Sequence, residues 1–333
     1  MKEPEEKIMP VGGQAVIEGV MMRSPKRIST AIRRSNGEIE IKSQEYVSLI
    51  QRNKYLNIPI VRGAITLIEI MILGIKTLQW SADKAMEDLE EEDSGKRKKV
   101  KKNKPVGMST ASAIMTIAFA LLIGIAMFFA LPLFLTTKIF NIEREAFLFN
   151  LVSGGFRIVF FLLYIWGISF MKDVKRLFQY HGAEHKSIFA FEDKIYLSPA
   201  NAQRYTTFHP RCGTSFIVMV MIISLVFFAF LDTLIIYYTG SINLIVRLLT
   251  HIPLIPIVGG ISYEALKASA KHADSKIVSF LITPGLALQR ITTSQPNDDQ
   301  IEVAICALKA ALGEDYKNEL VPEDSGIQAR EAI

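Results

Sequence analysis

Between Lys104 and Lys138 the chain carries no charged residue. At about 1.5 Å per residue, that run is long enough as a helix to cross a hydrocarbon layer of about 30 Å. A soluble domain seldom needs so long an uncharged helix, so the run commits this part of the chain to a bilayer and sets the frame for the rest. Half of all residues are hydrophobic, in keeping with that class.

Four membrane spans are expected, at 106–137, 146–171, 213–238 and 242–263. The second is interrupted by Arg157, the third carries Asp232 near its far end, and the fourth carries Arg247 near its start. The fourth also contains Pro253, Pro256, Gly259 and Gly260, which a span tolerates where neighbours satisfy the freed backbone groups. Orientation follows from the basic residues. The segment between spans two and three holds Lys172, Lys175, Arg176, Lys186, Lys194, Arg204 and Arg211, whereas the other side offers little beyond Lys138 and Arg144. By the positive-inside tendency both termini and this segment face the cytosol. Asp232 is then expected to pair with Arg157 or Arg247, because an unpaired charge at that depth is costly.

Around the spans, residues 1–55 read as a small β-rich cytosolic module. Arg27 to Arg34 and Glu38 to Lys42 form a hairpin about Asn36-Gly37, which can supply the positive φ angles of a tight two-residue turn. The preceding Gly12-Gly13 stretch has neither P-loop nor dinucleotide spacing and reads as a turn leading into a strand. No secretory signal is expected, since residues 1–10 are charged and lack an apolar core. Residues 56–80 form an amphipathic interfacial or re-entrant helix, with Arg62, Glu69 and Lys76 at intervals of seven making one polar stripe. Residues 81–105 follow as a charged linker, acidic over Glu87 to Asp93 and basic over Lys96 to Lys104. The basic run abuts a span and reads as a topology determinant touching anionic head groups; no nucleic-acid partner is expected. Residues 264–312 form cytosolic helices, the last with an apolar stripe at Ile301, Ala304, Ile305 and Leu308, and 313–333 form a disordered tail. The fold class is thus mainly α: a polytopic four-helix transmembrane protein with a β-rich N-terminal module and a helical C-terminal region.

Chemistry concentrates between spans two and three. His181-Gly182-Ala183-Glu184-His185 and His209-Pro210-Arg211-Cys212 hold three of the chain's five histidines and one of its two cysteines. Met171, Val174, Phe178, His181, His185 and Ile188 recur at helical spacing, as they would if the second span continued into the cytosol with both imidazoles on its buried face. Two histidines one turn apart can share an ion, and His-x-x-Glu-His is the order found in inverted zinc-protease motifs. Glu184 can serve as ligand, outer-shell partner or general base. His209 and Cys212 return to the same membrane face, and a mixed nitrogen and sulfur set suits zinc. The alternative is hydrogen-bonded core histidines and a small buried Cys212. Glu264, His272 and Asp274 are further acid, base or ligand candidates near that face. Cys212 and Cys306 both fall in segments assigned to the reducing cytosol, so no disulfide is expected.

Gly12-Gly13-Gln14-Ala15-Val16-Ile17-Glu18-Gly19-Val20-Met21-Met22-Arg23, the His181 to His185 motif, His209-Pro210-Arg211-Cys212-Gly213-Thr214-Ser215, Ile261-Ser262-Tyr263-Glu264 and the stretch Thr283 to Thr293 together resemble the YqhQ-type bacterial membrane proteins. That is a family of unknown function to which a metal-dependent enzyme label is sometimes attached. The resemblance implies a multi-pass architecture in a bacterial cell membrane; it carries no substrate. The expected function is a membrane-embedded metal-dependent hydrolase at the cytosolic face, with His181, His185, His209 and Cys212 around zinc and Glu184 catalytic. The second reading is a non-catalytic scaffold or biogenesis factor with a structural polar or metal cluster. Transport is weaker, since no inverted repeat is visible.

Overall fold

The computed structural model describes residues 9–96, 110–271 and 275–313. Its N-terminal strands, β1 Gly12–Val16, β2 Gly19–Arg23, β3 Arg27–Arg33 and β4 Ile39–Glu45, form an antiparallel meander in chain order. The Gly12-Gly13 stretch is itself strand, and the turn lies beyond it at Ile17-Glu18, where Glu18 takes φ 54. That is a costly angle for a non-glycine residue, and the Glu18 carboxylate is held by the Arg176 guanidinium through two nitrogens. The β3–β4 hairpin forms where expected with a longer loop. Arg34 N–H donates to the Glu38 carbonyl, and only Gly37 adopts positive φ, at 88°, so the turn has three residues rather than two.

Strand alternation gives the sheet two buried faces. Val20, Met22 and Ala31 join the main core, while Val16, Met21, Ile28 and Ile32 pack with Leu73 and Trp80. After the one-turn helix α1 (Leu49–Arg52), Leu73 and Trp80 belong to α2, which spans Val61–Lys96. The linker expected from residue 81 is therefore helical as far as Lys96; the basic run beyond it lies outside the described residues. The reason is that Ser81, Lys84 and Asp88 face the sheet, where Ser81 accepts the N–H of Ile17 and Asp88 binds Arg34. The N-terminal half of α2 exposes Ile68, Met71, Ile72 and Ile75.

Four helices among the described residues are long and apolar enough to cross a membrane. The first candidate, Met115–Phe140, joins α3 (Thr110–Ile125), a π-helical turn Ala126–Ala130 and α4 (Leu131–Phe140). The second is α5, Ala146–Ile168. It does not run on into the next helix as the spacing suggested. The chain breaks at 169–171, Met171 becomes the extended, exposed N-cap of α6 (Lys172–Glu192), and Asp173 sits in the new first turn, where a helix start favours an acid. After the short α7 (Pro199–Ala202) come α8 (Gly213–Thr239) and α9 (Leu244–Lys271), which stays helical through Pro253 and Pro256.

The helix α8 touches α5, α9 and α10 (Lys276–Thr292), and α2 packs on α9. Asp232 is paired as expected: its Oδ2 lies 3.0 Å from Nε of Arg247, with both side chains fully buried. Glu264, a candidate ligand from sequence, is instead bound by Arg62 across the α2–α9 contact at 2.6 and 2.5 Å. His272 and Asp274 lie outside the described residues, as does the tail beyond 313. The last helix, α11 (Asp298–Leu312), buries Ile301, Ala304, Ile305 and Leu308 against β2, β3 and α6, so the sheet and both helices share one core around the His181 segment.

Candidate metal centre

From Tyr180 to Phe191 the helix α6 is enclosed on nearly every side. Gly182 makes this possible: a Cβ there would stand 2.2 Å from the Ser294 carbonyl oxygen, so only glycine lets the chain beyond α10 cross α6 so closely. The last residue of α10, just before that crossing, orients the first imidazole. His181 Nδ1–H donates to the Thr292 carbonyl at 2.8 Å, and His185 Nδ1–H donates to the Thr207 carbonyl at 2.5 Å. A carbonyl only accepts, so each ring carries a proton on Nδ1 and turns Nε2 away from the backbone. This is the arrangement by which outer groups aim metal-binding histidines.

Both Nε2 atoms and the Cys212 sulfur meet. His181 Nε2 lies 3.2 Å from Cys212 Sγ, the two rings are 4.4 Å apart, and the ligand atoms of His181, His185 and Cys212 all fall within 4.8 Å of one another. Tetrahedral zinc requires nitrogen-to-sulfur separations of about 3.5 Å, so the donor set fits. His185 Nε2 is buried without a hydrogen bond of ordinary geometry, the Cys212 thiol being the polar group beside it, and an ion between the two would satisfy both. Burial pushes the His185 imidazole below its ordinary value, toward the neutral form that ligates. Cys212 caps the N-terminus of α8, and its sulfur receives the N–H and hydroxyl of Thr214 at 3.5 and 3.3 Å.

Glu184 is 5% exposed, with a carboxylate oxygen 4.0 Å from His181 Nε2. Burial raises its pKa above the usual carboxylate range; the neighbouring imidazoles of His181 and His209 and the N–H of Gly13 act the other way and do not win. Gly13 is the missing partner in the sequence reading. A Cβ on it would sit 2.6 Å from the Met21 carbonyl oxygen and 2.9 Å from Cγ and Oε1 of Glu184, so β1 can lie this close to the carboxylate only as glycine.

His209 stands beside the three-residue group rather than in it. Its ring is 5.5 Å from that of His185, its Nδ1 accepts from Arg211 N–H, and its Nε2 faces Glu192 at 3.6 Å. Burial pushes the Glu192 carboxyl up, but His209 and Arg211 outweigh it and hold the net value below the ordinary range. The fully buried Gln289 of α10 fixes the loop: its carbonyl accepts the His209 N–H at 2.7 Å and its amide donates to the His209 carbonyl at 2.8 Å. Lys186 Nζ, also buried, donates to the carbonyls of Gln203 and Tyr205 and holds the same loop two residues before Thr207. Neither Gln289 nor Lys186 was assigned such a role from sequence.

Residues 58–314 match the family model described as Protein of unknown function (DUF1385). The Uncharacterized protein YqhQ of Bacillus subtilis (strain 168) is 33% identical over 297 residues, covering 88% of this chain and 89% of that protein. No solved structure matches the chain. With the family model spanning most of its length and a relative this similar over nearly all of it, the chain belongs to the DUF1385 family.

Proposed function

We propose that this chain is a multi-pass protein of a bacterial cell membrane that acts as a zinc-dependent hydrolase at the cytosolic face. His181, His185 and Cys212 hold the ion and Glu184 is the general base. One observation carries the reading: both imidazoles use Nδ1 on backbone carbonyls, which leaves two Nε2 atoms and a sulfur directed at one point. A zinc ion held there would polarise a carbonyl or phosphoryl oxygen and acidify a bound water. The chain's own groups do the remainder. Glu184, next to His181 and with a pKa raised by burial, is suited to take a proton from the attacking water and return it to the leaving group. His209, whose Nδ1 accepts from the Arg211 N–H and whose Nε2 lies 3.6 Å from Glu192, stands close enough to steady charge that develops nearby. The basic residues of the segment between α5 and α8 support a cytosolic position for both termini and the site.

A second reading, a non-catalytic scaffold with a closed structural site, is favoured by the enclosure of Glu184 and the use of its carboxylate by Gly13. Metal analysis of the purified full-length protein separates these readings from one without metal. About one zinc per chain is expected, lost in His181→Ala and Cys212→Ala and retained in Glu184→Gln. Unchanged content in both ligand variants, or none in the parent, removes the hydrolase.

A further inference from the structure

We propose that Arg157 anchors an oxyanion-binding site inside the apolar helix bundle, for a ligand presenting two oxygens as a carboxylate or phosphate does. Arg157 lies at the middle of α5, is 7% exposed, and has its guanidinium 4.5 Å from the ring centre of Phe129 and 5.9 Å from that of Phe228. Its Nε and Nη2 have no hydrogen-bond partner among the described residues. These two atoms form the forked edge that fits a pair of oxygens. The same edge is filled twice elsewhere in this chain, by the Glu264 carboxylate on Arg62 and the Glu18 carboxylate on Arg176.

Among the described residues, Asp232 is the one buried carboxylate of the apolar helices, and it is taken up elsewhere. Asp232 is committed: Oδ1 receives His251 Nε2 at 2.9 Å, and Oδ2 receives Arg247 Nε at 3.0 Å and Asn150 Nδ2 at 2.7 Å. Glu143, on the connection before α5, gives Arg247 its backbone carbonyl rather than its carboxylate. Two buried guanidiniums therefore face one buried carboxylate. Water can satisfy N–H donors but not offset the second charge, and an uncompensated charge among apolar helices is costly. An anion meets both needs. The π-helical turn that brings Phe129 to Arg157 turns other residues, Ala126, Met127 and Ala130, to an apolar crevice of about 550 Å³ shared with Leu244, which Arg157 does not line. Because the helices around Arg157 are apolar, the oxyanion can arrive free or as the head of an amphiphile.

The test melts the full-length protein in a nonionic detergent, at constant ionic strength in chloride, against formate, inorganic phosphate and micelle-borne palmitate. At least one probe is expected to raise Tm saturably. Arg157→Lys keeps the charge but loses the fork and is expected to weaken the apparent affinity at least about tenfold, while Arg176→Lys leaves it unchanged. A response to formate or phosphate identifies a free anion, and a response to palmitate alone identifies an amphiphile. Calorimetric titration of the unaltered protein keeps the test independent of whether the variant folds. Absence of saturable binding for all three probes overturns the proposal, as does an equal response in Arg157→Lys.

Discussion

The Nε2 of His181 lies 3.2 Å from the Sγ of Cys212, across 31 residues of sequence. The contact joins α6 to the first turn of α8, so an ion bound there ties the core built on the sheet to the apolar bundle. An ion that binds only the folded state adds about 2.7 kcal/mol at a hundredfold excess over Kd. Chelation is accordingly expected to lower the Tm of the parent protein. Cys212→Ala should start lower and ignore the chelator. An equal chelator shift in both proteins would count against a shared site.

The approach of β1 to Glu184 gives a test at neighbouring glycines. A Cβ at Gly13 meets the Met21 carbonyl and the Glu184 side chain, whereas one at Gly12 meets nothing within 4 Å. Gly13→Ala is expected to cost about 1–3 kcal/mol by overpacking, and Gly12→Ala little. Denaturant melts of the two variants check this; matching midpoints would mean that β1 does not need the clearance.

What could be read in advance follows from what side chains encode. The four apolar helices were legible because hydropathy acts on every residue of a long run, and Asp232 announced its partner because a buried charge requires one. His181, His185 and Cys212 were legible as a set because those donor types are scarce in this chain. The carbonyls of Thr292 and Thr207 that aim the imidazoles were not, since any residue supplies a carbonyl and only the fold selects which. Gln289 gave no signal beyond being polar in an apolar helix. His209 resembled a ligand by spacing, but its orientation toward Glu192 depends on the path of the loop. His251 passed unremarked although it completes the Asp232 cluster, stacking on Phe228 at 4.0 Å, because one histidine in an apolar run has no periodic partner to mark it. The helical end of α2 was hidden by its charges, which read as solvated until the sheet supplied Arg34 and Ile17 as partners.

Asp232 is fully buried and shared by Arg247, His251 and Asn150, so its removal strands the fully buried Arg247 guanidinium. Asp232→Asn is expected to destabilise by about 3–5 kcal/mol, the usual loss on breaking one side of a buried pair. Adding Arg247→Met to it should restore part of that loss, because removing both charges leaves less buried charge unpaired. Thermal melts of the two single variants and the double variant measure the coupling; strict additivity would show that the pair is not energetically linked.

The C-terminal half of α2 is held to the β3–β4 hairpin by charge, and its hold should depend on pH in a fixed direction. Arg34 Nε donates to Asp88 Oδ1 at 2.8 Å and the Ser35 N–H donates to Oδ2 at 2.9 Å, while Arg34 also binds Glu40 at 2.5 Å. Burial pushes the Asp88 carboxyl up, but Arg34 and the Ser35 N–H outweigh it, and the folded value lies below the ordinary one. A carboxyl more acidic when folded than when unfolded contributes stability that is present above its unfolded pKa, about 3.9, and lost as pH falls through the lower folded value. Hydrogen-exchange protection of residues 81–91, corrected for the intrinsic rate, should hold from neutral pH down to about pH 5 and decline below about pH 4. In Asp88→Asn it should be lower at neutral pH, and its remaining decline, set by Glu40 and Glu87, should be shallower. A variant that reproduced the parent's profile would assign the docking of α2 to Leu73 and Trp80 alone.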